Sequence, residues 1–152
     1  MTASVARNGD VSFWYSQIGG PPACRDPLPG DRSVDVCIVG AGYTGLWTAY
    51  YLKTLQPDFS VAVVEREFAG FGASGRNGGW MTGGFSWSRE KYLKSGGTRD
   101  GVVAMGQALR GTVDEVIRVA VAEGIEADIR RTDGLVVACT PAQLQRVRDT
   151  HA

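Results

Sequence analysis

The chain has few of the residues from which metal centres and disulfide frameworks are built. It contains three cysteines, Cys24, Cys37 and Cys139, and a single histidine, His151. The cysteines are odd in number and none forms a Cys-x-x-Cys pair, so we expect neither a disulfide framework nor a metal site. Cys37 and Cys139 lie within apolar runs, which predicts small buried thiols. The chain also lacks a Ser-His-Asp or Cys-His set for hydrolysis.

The chain likewise has no excess of charge of either sign and no long apolar run. Its 16 basic and 16 acidic residues cancel, so neither a nucleic acid nor an anionic membrane surface is an expected partner. No apolar run approaches the roughly 20 residues of a membrane span, and the first ten residues lack the apolar segment of a signal peptide. These absences favour a globular protein in a reducing, cytoplasmic setting.

Glycine is the residue that the chain has in excess. There are 21 glycines, about twice the usual share. They cluster at 40–45, 70–84 and 95–101 instead of spreading through a low-complexity tract. Such clusters indicate special backbone dihedrals or a close approach of the backbone to another group.

The first half of the chain predicts an α/β fold. Residues 1–33 are rich in proline and glycine after an aromatic group, and they are typical of an N-terminal arm that packs its aromatics on a domain surface. The run Val34–Val39 is short, β-branched and apolar, as in a strand covered on both faces. A helix is predicted from Thr44 to Gln56 and a second strand from Ser60 to Glu65. Together they predict a parallel βαβ unit.

The second half predicts further helices and a pair of strands. Residues 69–98 read as irregular, and a long helix is predicted from Gly101 to Glu123 by its apolar stripe. Ala127–Arg131 and Gly134–Cys139 look like two strands joined by a turn. A last helix is predicted to begin at Pro141. Only two parallel strands are convincing, so we expect an incomplete Rossmann-like domain, a fragment of a longer chain.

Gly40, Gly42 and Gly45 form a Gly-x-Gly-x-x-Gly motif in the context that a dinucleotide-binding turn requires. The motif follows a predicted strand and opens a predicted helix, and a second strand follows it and ends on Glu65. Gly40 allows the tight turn, Gly42 lets the backbone approach a pyrophosphate, and Gly45 allows close packing of helix on strand. The pattern therefore predicts a dinucleotide site, whereas the glycines alone would not.

The residues around the motif have separate predicted roles. The backbone N–H groups near Tyr43 and Thr44 open the helix, where the helix dipole favours phosphate charge. Glu65 follows Gly45 by twenty positions and is expected to accept hydrogen bonds from the adenosine ribose hydroxyls. Its charge would repel a 2′-phosphate, which argues against NADP. At this point FAD and NAD both remain open.

A second glycine-rich segment, residues 70–80, carries a resemblance to a known family. With the motif 35–46 and Val64-Glu65-Arg66, the run 72–79 (Gly-Ala-Ser-Gly-Arg-Asn-Gly-Gly) resembles the D-amino-acid-oxidase-like (DAO) FAD-dependent amine oxidoreductases. Phe13-Trp14-Tyr15 and the block 134–138 are similar to the branch of γ-glutamylputrescine oxidases. The resemblance covers residues 12–150, about the N-terminal third of a typical member. It favours FAD over NAD.

The resemblance also implies roles for individual residues. Ala73 and Ser74 would contact the FAD phosphates or the ribityl chain, and Asn77, Gly78 and Gly79 would border the isoalloxazine ring. Small residues with exposed N–H groups suit both a flat ring and a phosphate.

For each of two arginines, the sequence leaves two possible roles open. Arg76 would pair either with the pyrophosphate or with an acidic residue of its own domain. Arg66 would either lie along the adenine edge or be solvated.

By resemblance, the intact enzyme oxidises a small-molecule amine or amino acid by hydride transfer to the flavin. Residues 34–125 would belong to the FAD-binding domain and residues 126–152 would begin a substrate domain. No residue of this chain is predicted to be catalytic. Three alternatives stay open: an FAD-dependent dehydrogenase acting on another C–H donor, a truncated FAD-binding module without catalysis, and an NAD-binding enzyme.

Overall fold

The computed structural model describes residues 12–151, with side chains for residues 12–149. Residues 1–11 of the expected arm lie outside the described part. The chain divides after Trp80 into two compact units, and each has its own helices. Within the described residues, the first unit holds two α-helices and two strands, and the second unit holds three α-helices.

The first unit holds a two-stranded parallel sheet with one helix between its strands. Strand β1 is Val36–Val39, helix α2 is Tyr43–Leu55 and strand β2 is Val61–Val64. The strands pair in parallel from Val36 opposite Val61 to Val39 opposite Val64. The predicted α/β class and the parallel βαβ unit are thus confirmed, and each element ends within about two residues of its expected limits. A short helix, α1 (Phe13–Gln17), precedes them, and a 3-10 turn covers Ala73–Gly75.

Asp35 and Ser60 join the two strands at their N-terminal ends. The carboxylate of Asp35 accepts hydrogen bonds from the Ser60 backbone N–H at 2.8 Å and from the Ser60 hydroxyl at 2.6 Å. These bonds favour the charged carboxylate, so they hold the pKa of Asp35 below its ordinary value. The register of the sheet is thereby fixed where both strands begin.

Helix α2 approaches the sheet through Gly45. A Cβ on this residue would lie 2.0 Å from the Gly40 carbonyl oxygen and 3.2 Å from Cγ2 of Ile38. Only a residue without a side chain permits that approach, because real Cβ atoms do not come within 3 Å of a backbone oxygen. The third glycine of the motif therefore packs the helix against the turn and β1, as its position predicts.

The prediction of buried thiols was wrong. Cys37 and Cys139, like Cys24, are exposed. Cys37 alternates with Ile38, which contacts α2, so its side chain belongs to the opposite face of the sheet. In residues 12–149 nothing buries that face at Cys37 or at Val39, which is 85% exposed.

The second unit is helical. Helix α3 is Arg89–Lys94, α4 is Arg99–Ala122 and α5 is Pro141–His151. Helix α4 begins where the Thr98 hydroxyl accepts the N–H of Gly101 at 3.1 Å. It ends in a Schellman motif, in which Ile125 N–H bonds to the Ala120 carbonyl at 2.8 Å and Gly124 has φ +63°. The long helix and the helix from Pro141 are confirmed; α3 was not predicted.

The core of the second unit lies along one side of α4. Val102, Val119 and Ala120 are buried there. The helix runs unbroken through Gly111, where a Cβ would meet nothing within 4 Å. Glycine is therefore tolerated but not required at this position. It lowers the stability of the helix only through its low helix propensity.

The two strands predicted at 127–131 and 134–139 are absent from the described residues. The segment has no regular structure, and Leu135 in it is 87% exposed. A strand is stabilised by its hydrogen-bonded neighbour, and neither run has a strand partner within residues 12–151. Arg131 instead forms an ion pair with Asp114 on α4. No helix in the described part of the chain is long and apolar enough to cross a membrane.

Candidate functional site

The first glycine turn joins β1 to α2 in the conformation that its sequence predicts. Gly40 has φ +101°, and its N–H donates to the Val64 carbonyl at 2.7 Å, which closes the turn against the end of β2. Gly42 is the N-cap of α2 and supplies no side chain to the first-turn N–H groups. The N–H groups of the first turn of α2 therefore need an acceptor from elsewhere, and the helix dipole favours a negatively charged one.

Glu65 bonds back to this turn from the end of β2. Its carboxylate accepts the N–H of Ala41 at 2.9 Å and the N–H of Glu67 at 3.2 Å. These backbone bonds, that from Ala41 first, hold the pKa of Glu65 below its ordinary value. The group is thus an ionised acceptor at neutral pH. An ionised carboxylate has about four lone-pair sites, so the group keeps capacity to accept from ligand hydroxyls.

A second turn with the same spacing follows in the first unit, and the sequence analysis missed it. Gly70, Gly72 and Gly75 repeat the Gly-x-Gly-x-x-Gly spacing. A Cβ on Gly75 would lie 2.2 Å from the Gly70 carbonyl oxygen, matching the 2.0 Å between Gly45 and Gly40. The 3-10 turn begins three residues after Gly70, as α2 begins three residues after Gly40. The repeated spacing was the signal that could have revealed it.

Hydrogen bonds join the two glycine turns into one surface, here called the glycine cradle (residues 40–45 and 70–79). The Gly70 N–H donates to the Ala41 carbonyl at 2.9 Å. The Tyr43 N–H donates to the Ser74 hydroxyl at 2.9 Å. The Asn77 side-chain amide donates to the Tyr43 phenol at 3.1 Å. The structure thus brings together segments that the sequence analysis assigned to one cofactor on separate grounds.

The middle of the cradle suits a phosphate group. A Cβ on Gly42 would lie 3.0 Å from the Ser74 hydroxyl oxygen, so the absent side chain leaves the helix N-terminus open beside that hydroxyl. Ser74 accepts from Tyr43 and keeps its own hydroxyl proton to donate to an anion. The helix N-terminus and the Ser74 hydroxyl are donors of the kind that a pyrophosphate requires, and the absence of a Cβ on Gly42 leaves room for its approach.

Asn77 shapes the far end of the cradle. Its side-chain amide donates to the Ser74 carbonyl at 2.7 Å, and its side-chain oxygen accepts the Gly79 N–H at 2.8 Å. Gly79 has φ +77°, which favours glycine, and Gly78 is exposed between them. The side chain of Asn77 therefore folds residues 77–79 into a compact turn next to Ser74.

The remaining predicted site residues lie at the edges of the cradle. Thr44 is exposed in the first turn of α2, and Ala73 is exposed at the start of the 3-10 turn. Arg76 donates from Nε to the Phe71 carbonyl at 2.8 Å, with its guanidinium 4.9 Å from the Phe71 ring centre. In the described residues no carboxylate lies within ion-pair distance of Arg76. Arg66 is 3.2 Å from Glu67 and largely exposed.

Two aromatic side chains of α1 reach the cradle, which sequence reasoning did not foresee. The indole N–H of Trp14 donates to the Asn77 carbonyl at 2.7 Å. The phenol of Tyr15 donates to the Ala69 carbonyl at 3.2 Å. The arm thus does pack its aromatics on the first unit, as expected, but the surface that it packs on is the candidate site.

With the fold and the site defined, comparison with known proteins assigns the chain to a class. Residues 35–152 match the DAO family of FAD-dependent oxidoreductases. That match covers most of the chain, so the chain belongs to this family. FAD is the family's cofactor, and the choice of FAD over NAD is confirmed.

Several individual proteins of known name are similar to this chain. The chain is 34% identical over 140 residues to γ-glutamylputrescine oxidoreductase of Escherichia coli, across 91% of this chain and 32% of that protein. It is 41% identical over 71 residues to the probable oxidoreductase OrdL of Haemophilus influenzae, across 47% of this chain and 16% of that one. It is 44% identical over 59 residues to the β subunit of sarcosine oxidase of Rhodobacter capsulatus, across 39% and 14%.

The chain spans about a third or less of the length of these curated relatives. No solved structure gives a significant match to it. The resemblance stated from the residues is therefore confirmed at the level of the family, and the individual site residues remain predictions.

We expect Glu65→Ala to raise the dissociation constant for FAD about 5- to 100-fold, because charge-assisted hydrogen bonds to the ribose are lost. FAD titration of the full-length protein, followed by quenching of flavin fluorescence, measures this change. Glu67→Ala removes the neighbouring carboxylate and is the matched control, with little expected effect. Equal binding by Glu65→Ala and wild type, or an equal loss in both variants, would contradict the role of Glu65.

Proposed function

We propose that this chain is the FAD-binding portion of an oxidoreductase that oxidises a C–N bond of a small amine or amino acid. The observation that carries the proposal is the glycine cradle. Two glycine turns of equal spacing are joined through Ser74 and Tyr43, with the ionised Glu65 at one end. A dinucleotide cofactor has the matching sequence of groups, in which a ribose is followed by a pyrophosphate and a flat ring.

The cradle and the residues beside it are each proposed to bind a different part of FAD. The N-terminus of α2 and the Ser74 hydroxyl bind the pyrophosphate, and Glu65 binds the adenosine ribose. Arg66 lies beside the adenine edge, and Arg76, held by Phe71, supports the phosphate side of the second turn. The turn 77–79 borders the isoalloxazine ring. The full proposed set is Gly40, Gly42, Tyr43, Thr44, Gly45, Glu65, Arg66, Ala73, Ser74, Arg76, Asn77, Gly78 and Gly79.

We further propose that the βαβ unit opens a larger Rossmann-like FAD-binding domain. Residues 34–125 would form its N-terminal part, and residues 126–152 would begin the substrate domain, where 127–139 has no strand partner in the described residues. The greater length of the relatives supports this division, since the E. coli protein is about three times as long as the stretch it shares with this chain.

The proposed chemistry follows from the substrates that two relatives are named for. γ-Glutamylputrescine and sarcosine are both amines with hydrogen on the carbon beside nitrogen. FAD, when bound, supplies a two-electron acceptor for a hydride from that carbon. The amine loses the hydride and an N–H proton, becomes an imine, and water hydrolyses the imine to a carbonyl compound and an amine or ammonia. The residues of the cradle bind and orient the cofactor, and none of them is assigned to the reacting carbon.

Anaerobic mixing of the FAD-loaded, full-length protein with a panel of amines tests this proposal. We expect at least one primary or secondary amine to bleach the visible flavin absorption and to yield a carbonyl product. Readmitting oxygen should then restore the colour and release peroxide if the enzyme is an oxidase, whereas a dehydrogenase would need an added electron carrier. Bleaching by hydroxy acids or other C–H donors, with none by any amine, would refute C–N oxidation.

A further inference from the structure

We propose that Trp14 is a positioning residue for the flavin, which it serves by holding the turn 77–79 in place. This inference rests on the proposed function, in which that turn borders the isoalloxazine ring. Trp14 lies on α1, 63 positions before Asn77, in a segment that precedes the βαβ unit. No part of the dinucleotide-binding motif requires it.

Trp14 makes two separate contacts with the turn. Its indole N–H donates to the Asn77 backbone carbonyl at 2.7 Å, a normal hydrogen-bond length. Its six-membered ring lies on Gly79, where a Cβ would come within 2.9 Å of the ring atom Cζ2 and 3.2 Å of Cη2. The first contact fixes the start of the turn, and the second fixes its end. Any side chain at residue 79 would displace the indole or the turn.

Tyr15, the next residue, anchors α1 so that Trp14 is held at a defined place. Tyr15 is 8% exposed, and its ring meets that of Phe68 edge to face at 5.2 Å. Its phenol oxygen would lie 2.6 Å from a Cβ on Gly75 and 2.9 Å from one on Gly70. Tyr15 is thus packed into the second glycine turn, and its partner Trp14 reaches on to the turn that follows.

The turn 77–79 is therefore held from two sides. The Asn77 side chain ties it to Ser74 and to the Tyr43 phenol, and Trp14 ties its backbone to α1. Trp14 itself is 42% exposed, so burial alone does not account for its placement. A preorganised turn costs less to order when a cofactor binds. We infer that Trp14 raises FAD affinity and sets the polarity next to the ring without touching the cofactor's phosphates.

The test compares Trp14→Phe and Trp14→Ala in the full-length protein. Trp14→Phe keeps part of the aromatic packing near Gly79 but removes the donor to Asn77, and Trp14→Ala removes both. We expect the dissociation constant for FAD to rise about 3- to 10-fold in Trp14→Phe and further in Trp14→Ala. The visible bands of bound flavin and its reduction potential should shift in both variants. A residue with only a packing role would lower the melting temperature of the FAD-free protein and leave the spectrum and potential as in wild type.

Two further variants separate the possible failures. Trp87→Phe removes an indole of similar exposure in the second unit and should bind FAD with wild-type affinity and spectrum. Gly42→Val tests the cradle itself. If Gly42→Val loses FAD while both Trp14 variants keep wild-type affinity, spectrum and potential, the positioning role is overturned and the proposed FAD site stands. If Gly42→Val retains FAD, the proposed site fails and the role of Trp14 falls with it.

Discussion

Gly45→Ala is expected to destabilise the protein by about 3 kcal/mol, as overpacking at a site that cannot relax does. The added methyl group would lie 2.0 Å from the Gly40 carbonyl oxygen and 3.2 Å from Ile38. Both neighbours belong to the turn and strand that define the βαβ unit, so relief requires α2 to move away from β1. Urea unfolding of the FAD-free protein, monitored by far-UV circular dichroism and by tryptophan fluorescence, measures the loss.

Gly111→Ala is the matched control for this substitution. It adds the same methyl group to a helix, but at a position where a Cβ meets nothing within 4 Å. Alanine is the better helix former, so this variant should be stabilised by about 0.5–1 kcal/mol. Wild-type stability in Gly45→Ala would show that α2 does not pack on the turn as closely as described.

Gly42→Val is expected to raise the dissociation constant for FAD by about 100-fold or more. The valine side chain would occupy the space between the N-terminus of α2 and Ser74, where a Cβ comes 3.0 Å from the Ser74 hydroxyl. The Ser74 side chain can turn aside at the loss of its hydrogen bond from the Tyr43 N–H, so the FAD-free protein should lose only about 1 kcal/mol of stability. The pyrophosphate has no such freedom, because it must approach the backbone N–H groups directly.

The two glycine variants should therefore fail in different ways. Gly45→Ala loses stability with or without FAD, whereas Gly42→Val lowers the unfolding midpoint much less and loses FAD. FAD titration and urea unfolding of the same preparations separate these effects. If Gly42→Val bound FAD as wild type does, or lost its fold as Gly45→Ala does, the assignment of the second glycine to the pyrophosphate would be wrong.

The sequence was sufficient to predict the βαβ unit because each of its signals is local. The apolar, largely β-branched runs before Gly40 and after Ser60 indicate strands, and the glycine motif marks where the chain turns into a helix. The end of α4 was equally readable from Gly124, which adopts the positive φ that a Schellman motif needs. The observed ends of the strands and helices differ from the predicted ends by one or two residues. Differences of this size are usual, because the ends of elements fray and depend on the hydrogen-bond criterion.

Features that depend on distant parts of the chain were not predictable. The segment 127–139 has strand-like composition, yet strand formation requires a partner, and none lies within the described residues. Cys37 was expected to be buried because its neighbours are apolar, but its exposure depends on what covers the second face of the sheet. The contact of Trp14 with Asn77 joins residues 63 positions apart, and no periodic pattern encodes it.

The individual residues of the candidate site were predicted, but the contacts that bring them together were not. Glu65, Ser74 and Asn77 were each identified, and the structure places them around one surface. The bonds that join them, from Ala41 to Glu65 and from Tyr43 to Ser74, follow from the tertiary fold. The second glycine turn explains why residues 70–79 can lie against the first turn, since Gly70 and Gly75 repeat its geometry.

A crystal structure of the full-length protein with FAD would show directly whether the glycine cradle binds the cofactor. We expect the pyrophosphate within hydrogen-bond distance of the Ser74 hydroxyl and of backbone N–H groups in the first turn of α2. We also expect the adenosine ribose hydroxyls on the Glu65 carboxylate and the isoalloxazine ring beside residues 77–79. FAD bound away from the glycine cradle, or a ribose with no contact to Glu65, would contradict the proposed site.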